Sequence, residues 1–370
     1  MRIGIFADQL NYAQPGGIGT YLHNLIPGLA ERSDSSLLLF HHCKTRPSLF
    51  PDLPEIEEAI IPHRRDLTGI SWHSIGRPRI ERYIGELDVV HTPSLVFPPA
   101  EAPLVATVHD LCIVKYPWAF PSRWRVFHRR GLQLILKHAR IILADSNSTC
   151  DDLRSLAHQR DPRVRIVPLG VQAAPAPGRE AVRKVLEKYD LKEDYILFVG
   201  TIEPRKNLSR LVQAYASFNG DEKRKTGELV LVGPAGWMGR RELSRMLSQH
   251  GVRWLGFVPQ QELEAIYASA ALFVYPSVYE GFGLPVLEAM ARGVPVVTSN
   301  TSSLREVGEG VALLVDVEDP MEMGRAIRRL MGDPEMRAEL AEKGKERASE
   351  FSWDRTVDLT LEAYREAAAG

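Results

Sequence analysis

The chain has 370 residues, 44% of them hydrophobic and 25% charged, with a net charge of −1. That length exceeds one ordinary core and points to two domains, and the near-neutral balance gives no reason to expect nucleic acid as a partner. Cys43, Cys112 and Cys150 stand far apart without a C-x-x-C pair, which argues against a disulfide framework or zinc site and fits a reducing cytoplasm.

The N-terminus, MRIGIFADQL, runs straight into a strand pattern without the look of a signal peptide. No apolar run is long enough to span a bilayer. Apolar runs predict strands at 2–7, 36–41, 89–92, 104–109, 141–144 and 164–168. The segment 173–180, AAPAPGRE, reads as a linker. A second set follows at 195–200, 228–232, 252–255, 272–275, 294–298 and 312–315. Amphipathic stretches such as 208–218 and 259–269 lie between them. Strands this apolar, alternating with helices, predict parallel sheets covered on both faces. The expected organisation is an N-terminal domain over 1–172, a linker over 173–180 and a C-terminal domain over 181–353. A final helix over 354–370 either finishes the second domain or returns to the first.

Charge is distributed unevenly. Residues 1–175 carry 20 Lys+Arg against 17 Asp+Glu, a balance of +3, and residues 176–370 carry −4. Between Lys115 and Arg140 lie seven basic residues and no acidic one. A solvated helix face explains that run. So does a patch for an anionic acceptor or membrane surface, with Trp118, Trp124 and Phe127 inside it.

Four stretches carry chemistry. The first is SVYEGFGLPVLEA, 277–289, at the end of a strand. Gly281 and Gly283 permit a tight turn, and Pro285 suits the start of a helix over 285–291, so backbone N–H groups can face a phosphate. Glu280 and Glu288 flank the turn as hydroxyl acceptors, one for each ring of a nucleotide sugar. A solvated Glu280 and a Glu288 that steadies the helix N-terminus would also explain them. The second is GTIEPRKNL, 200–208, with Arg205 and Lys206 at a strand's carboxyl end to neutralise a diphosphate and Asn207 as an N-cap. The third is PGGIGTY, 15–21, where Gly16 and Gly17 open a helix running to about residue 29. The fourth is TVHDL, 107–111, which aims His109 from a strand end, with His91 in VVHTPS as its rival.

Together GGIGTY, TVHDL, GTIEPRKNL and EGFGLPVLEAMARGVPVV resemble family 4 of the glycosyltransferases. This is a retaining group with the GT-B fold, in which two Rossmann-like doubly wound α/β domains face each other across a cleft. The motifs stand in the family's order and reach across both domains. The resemblance implies that Glu280 contacts the transferred sugar and Glu288 the nucleotide ribose. It places Thr201, Gly281, Phe282, Gly283 and Leu284 along the donor, with Arg205 and Lys206 on the diphosphate. Gly16 and Gly17 approach from the first domain, His109 lies near the reaction centre, and the last helix crosses back to the first domain. Many members carry Arg where this chain has Thr201, which shifts the diphosphate onto Arg205 and Lys206. The resemblance implies no required metal or other cofactor.

The expected activity is transfer of a hexose, mannose first, from a nucleotide-diphosphate sugar to a glycan or lipid-linked acceptor in surface polysaccharide synthesis. GDP-mannose is favoured as donor, with a UDP-hexose second. The expected place is the cytoplasm, at the inner face of the membrane if the 115–140 patch touches it. An inverting enzyme would want a general base, and Asp110 is the candidate. The alternatives are a nucleotide-sugar epimerase of GT-B-like fold and a non-catalytic nucleotide-binding protein. A dinucleotide oxidoreductase is weaker, because Val286 stands where G-x-G-x-x-G needs its third glycine.

Overall fold

The computed structural model describes residues 1–370 apart from 13, 15, 33–34, 43–47, 157–162, 173–175, 221 and 223–225. Cys43, Pro15 of the PGGIGTY motif and the start of the expected linker therefore lie outside the described residues. The chain forms two compact units: Met1–Gly170 together with Ser352–Gly370, and Val171–Phe351.

The first unit is built on a seven-stranded parallel sheet. Its strands are β1 (Arg2–Phe6), β2 (Ser36–His41), β3 (Glu57–Ile60), β4 (Val89–Thr92), β5 (Leu104–Val108), β6 (Ile141–Ala144) and β7 (Val164–Ile166), in the order β3-β2-β1-β4-β5-β6-β7. The central strands are buried along their whole length, which is why they read as unbroken apolar runs. β3 was missed because its sequence is EEAI: an edge strand with one neighbour needs no apolar run.

The second unit holds a six-stranded parallel sheet. Its strands are β8 (Tyr195–Val199), β9 (Leu229–Val232), β10 (Val252–Trp254), β11 (Ala270–Tyr275), β12 (Val296–Ser299) and β13 (Leu313–Val315), in the order β10-β9-β8-β11-β12-β13. In each sheet the strand order reverses beside the first strand of the unit, as a doubly wound fold requires. β11 therefore lies next to β8, with Phe273 opposite Leu197, and their carboxyl ends share one edge.

The last helix, Trp353–Ala368, packs on the first unit. Tyr364 Oη lies 2.6 Å from His91 Nδ1, and Thr356 donates to the Pro168 carbonyl at 2.7 Å. Gly170 sits against the backbone of Ser352 and Trp353 so closely that a Cβ there would fall 2.2 Å from the Trp353 nitrogen. Side by side at this point, the chain leaves the first unit and re-enters it.

Candidate active site

A buried charge cluster of the second unit forms where β8 and β11 end. After β8 the chain makes a short turn, Pro204–Lys206, and the Arg205 carbonyl accepts from the Val278 N–H of the loop after β11 at 3.0 Å. That bond ties GTIEPRKNL to SVYEGFG. Glu280 is held from both sides: Arg205 Nη1 lies 2.5 Å from its Oε2 and Lys206 Nζ 2.6 Å from its Oε1. Arg205 Nε pairs with Glu203 at 2.5 Å, and Lys206 donates to the Tyr275 hydroxyl with its Nζ 4.8 Å from the ring centre. Glu203, Lys206 and Glu280 are 3%, 5% and 7% exposed, so the group is internal rather than a solvated surface pair. Burial alone would raise the Glu280 carboxyl, but the charges of Arg205 and Lys206 outweigh it and bring it down to about 2. Burial, with Arg205 beside it, pulls Lys206 below its usual value against the attraction of Glu280.

Glu203 and Tyr275 were not singled out in the sequence. Their signal was available, since Tyr275 ends the apolar strand β11 and Glu203 lies in the loop after β8, on the edge where ligands bind in such folds. Asn207 was expected to cap the next helix. It sits in the left-handed region, φ 57°, just before helix Leu208–Ala216, but its carboxamide N–H bonds the Val317 carbonyl at 2.8 Å and makes no cap.

The second carboxylate has a different environment. Helix Leu284–Ala291 begins one residue earlier than expected, after Gly283 at φ 99°, where an added Cβ would lie 2.7 Å from Leu304. Glu288 on this helix accepts from the Tyr267 hydroxyl at 3.3 Å, and Arg292 donates to its backbone carbonyl at 2.8 Å. Burial raises the Glu288 carboxyl, opposed by Arg292, so the two glutamates shift in opposite directions. Gly281 is buried, while Leu284 and Thr201 are half-buried. Phe282 is 6% exposed, and its ring stands edge-on to Phe351 at 5.6 Å.

In the first unit Gly16 and Gly17 open helix Gly16–Arg32 with nothing within 4 Å of where a Cβ would stand. At the end of β5, His109 Nδ1 pairs with Asp145 Oδ2 at 2.7 Å, and the Tyr21 ring stands edge-on at 4.9 Å. His91, its rival, is wholly buried, with Nε2 2.8 Å from Thr107 Oγ1 and Nδ1 at Tyr364. Burial, helped by the nearby His109, lowers His91 to about 3, which makes it a neutral structural ring. Asp110 spends Oδ1 on the Cys112 N–H at 2.9 Å, starting the short helix Cys112–Lys115. Among the described residues no group of three or more His, Cys, Asp or Glu could hold a metal ion, and no helix is long and apolar enough to cross a membrane.

Comparison with known proteins shows the family and the fold. The family described as Glycosyltransferase Family 4 matches residues 15–174, and Glycosyl transferases group 1 matches residues 179–347. An O-antigen chain mannosyltransferase B of Escherichia coli is 32% identical, covering 99% of this chain and 100% of that one. The chain belongs to family 4 of the glycosyltransferases. A D-inositol 3-phosphate glycosyltransferase of Salinispora arenicola is 34% identical to this glycosyltransferase over 72% of its chain and 64% of the relative's. Two solved structures share the GT-B fold. One is HepE of Anabaena in complex with UDP and glucose, with a TM-score of 0.77, 18% identity and 98% of each chain covered. The other is a sucrose-phosphate synthase of Thermosynechococcus elongatus, with a TM-score of 0.77, 22% identity, and 100% and 99% covered. Both units of this glycosyltransferase are accordingly Rossmann-like.

Proposed function

We propose that this enzyme moves mannose from GDP-mannose to a glycan or lipid-linked acceptor in surface polysaccharide synthesis, with retention of anomeric configuration and without a metal ion. The observation that carries the reading is the buried cluster of Arg205, Lys206 and Glu280 at the shared edge of β8 and β11. The choice of sugar rests on the end-to-end relative named an O-antigen chain mannosyltransferase. A UDP-hexose is the second choice of donor.

The chemistry follows from charge. Breaking the anomeric bond leaves positive charge on the sugar and negative charge on the departing diphosphate. Arg205 and Lys206 are the cations for the diphosphate, in the role a metal ion fills elsewhere. With Glu203 and Glu280 they form a neutral set, so an arriving diphosphate has to take them over from Glu280. That exchange turns the Glu280 carboxylate towards the hydroxyls of the sugar. Glu288, whose carboxylate takes only a 3.3 Å bond from the Tyr267 hydroxyl, is the acceptor in this reading for a ribose hydroxyl. Retention needs attack from the leaving group's own face, where a phosphate oxygen takes the acceptor's proton. Inversion would instead need a general base, for which Asp110, whose Oδ1 accepts the Cys112 N–H, is the candidate.

The lipid-linked acceptor is suggested by the first unit. Trp118, Trp124 and Val126 are exposed among the basic residues of 115–140. Helix Arg65–Ile75 exposes Leu67, Ile70 and Ile75, and its His73 ring stacks on Phe127 of helix Ser122–His138 at 4.3 Å. Apolar side chains next to Arg123, Arg129 and Arg130 suit an anionic membrane surface at its cytoplasmic face.

A thermal-shift panel of GDP-mannose, GDP, UDP-glucose and UDP without added metal tests the donor. The expected result is a higher Tm with the guanosine pair, weakened in Glu288→Ala. Stabilisation by the uridine pair alone would move the donor to a UDP-hexose. A melting temperature that ignores every nucleotide would overturn the reading. Mannose appearing on acceptor, rather than a changed nucleotide sugar without acceptor, separates transfer from epimerisation.

A further inference from the structure

His109 is assigned above to the substrate only by its motif, and what holds its ring is Asp145. β6 ends at Ala144, and the Ser146 hydroxyl accepts the Thr149 N–H at 3.1 Å, which starts helix Asn147–Leu156. Asp145 is thereby fixed at the turn between them, beside the end of β5, since Val108 lies opposite Ala144 in the sheet. Its side chain is 2% exposed, and Oδ2 meets His109 Nδ1 at 2.7 Å. A second restraint comes from the Tyr21 ring, 4.9 Å away and nearly perpendicular. Among the described residues His109 Nε2 and Asp145 Oδ1 are both buried without a hydrogen-bond partner. Such orphaned atoms are costly, and they are concentrated where a fold leaves room for a ligand or a proton.

We propose that Asp145 is a positioning residue for His109. It accepts Nδ1–H and fixes the ring and its tautomer, so that Nε2 is the atom offered to an oxygen of the bound substrate. The inference rests on the donor reading of His109. The groups facing the ring bear on its charge: Tyr21 from helix Gly16–Arg32, neutral His91 from β4, the Pro93 carbonyl, Asp110 next in the chain and Asp145 from the turn after β6. Burial pushes His109 down, but the Asp145 charge and hydrogen bond, with smaller help from Asp110 and Pro93, bring it above the ordinary histidine value. In its protonated form Nε2–H is a charged donor, suited to a sugar hydroxyl or a phosphate oxygen.

The test compares native enzyme, Asp145→Asn, Asp145→Glu, His109→Ala and the double variant Asp145→Asn/His109→Ala. Asp145→Asn is expected to lower kcat about 10- to 100-fold with donor KM within about threefold. Asp145→Glu recovers part of the loss, and the double variant is no slower than His109→Ala alone, because one residue acts through the other. In 15N-labelled histidine NMR, native His109 carries its proton on Nδ1, and Asp145→Asn shifts the titration of that ring to lower pH. Additive losses in the double variant, or an imidazole titration that Asp145→Asn leaves unchanged, would overturn the proposal. If native enzyme binds no nucleotide, the donor reading fails separately. The imidazole spectrum of folded protein, which needs no substrate, then still decides whether Asp145 sets the ring.

Discussion

At the carboxyl ends of β8 and β11 two carboxylates and two cations are packed into direct contact. At the ends of β4, β5 and β6 the buried polar groups are mostly imidazoles and hydroxyls, joined through His91, Thr107, Tyr21 and Tyr364, beside the ion pair of His109 and Asp145. Both are strand-end sites on the same doubly wound plan. The difference teaches that the plan supplies position and the loops supply chemistry: the second unit stores charge for an anion, and the first unit keeps a neutral network around one histidine.

The largest test of that contrast is Lys206→Ala. It removes a cation from beside a buried carboxylate, so stability should fall by about 3 kcal/mol in urea unfolding. Transfer should fall roughly 100- to 1000-fold. In the double variant Lys206→Met/Glu280→Leu, apolar side chains replace the pair, and stability should return to within about 1–2 kcal/mol of native while transfer stays lost. Recovery of transfer would break the assignment of both residues to the donor.

Acid should separate the units. His91, lowered to about 3, is neutral in the fold and takes up a proton on unfolding. The stability it contributes is present above pH 6.5 and lost as pH falls from there towards 3. His73, lowered by burial to about 4, acts in the same sense. Glu280, lowered to about 2, contributes stability above pH 4.5 that disappears as pH falls towards 2. His109 works the other way, since its raised value adds stability below pH 6.5 that is lost as pH rises through the folded value. The first unit should therefore melt at higher pH than the second when amide NMR signals of each are followed through an acid titration. Simultaneous loss of both sets would mean that the charge cluster and the neutral network are equally acid-sensitive.

Smaller effects sharpen the comparison. Tyr364→Phe leaves His91 Nδ1 buried without its partner and should cost about 1–3 kcal/mol with nucleotide binding unchanged. Thr201→Arg restores the cation that many family members carry and should tighten GDP two- to fivefold, about 0.5–1 kcal/mol, by calorimetry.

The strands were legible because a parallel strand buried on both faces has to be apolar. Among the described residues only β3, an edge strand of sequence EEAI, escaped. The glycine turns and the paired glutamates were legible because they are local in sequence. What could not be read was pairing over distance. Nothing near Arg205 says that Glu280 holds it, and nothing near His91 says that Tyr364, 273 residues later, completes it. Asp145 lay in between: an acid directly after the apolar run IILA is a strand-end signal of the same kind as HD at 109–110. The contact of the Phe282 ring with Phe351, 69 residues later, was equally hidden.

The helix Trp353–Ala368 gives the protein an unusual order of manufacture. During synthesis residues 1–170 emerge first, but the element that meets Tyr21 and His91 is made only after the whole second unit. At ribosomal speed that interval is on the order of ten seconds or more. Through it the nascent first unit carries the contact surface of its missing helix uncovered, and it becomes complete only when translation has passed Ala368.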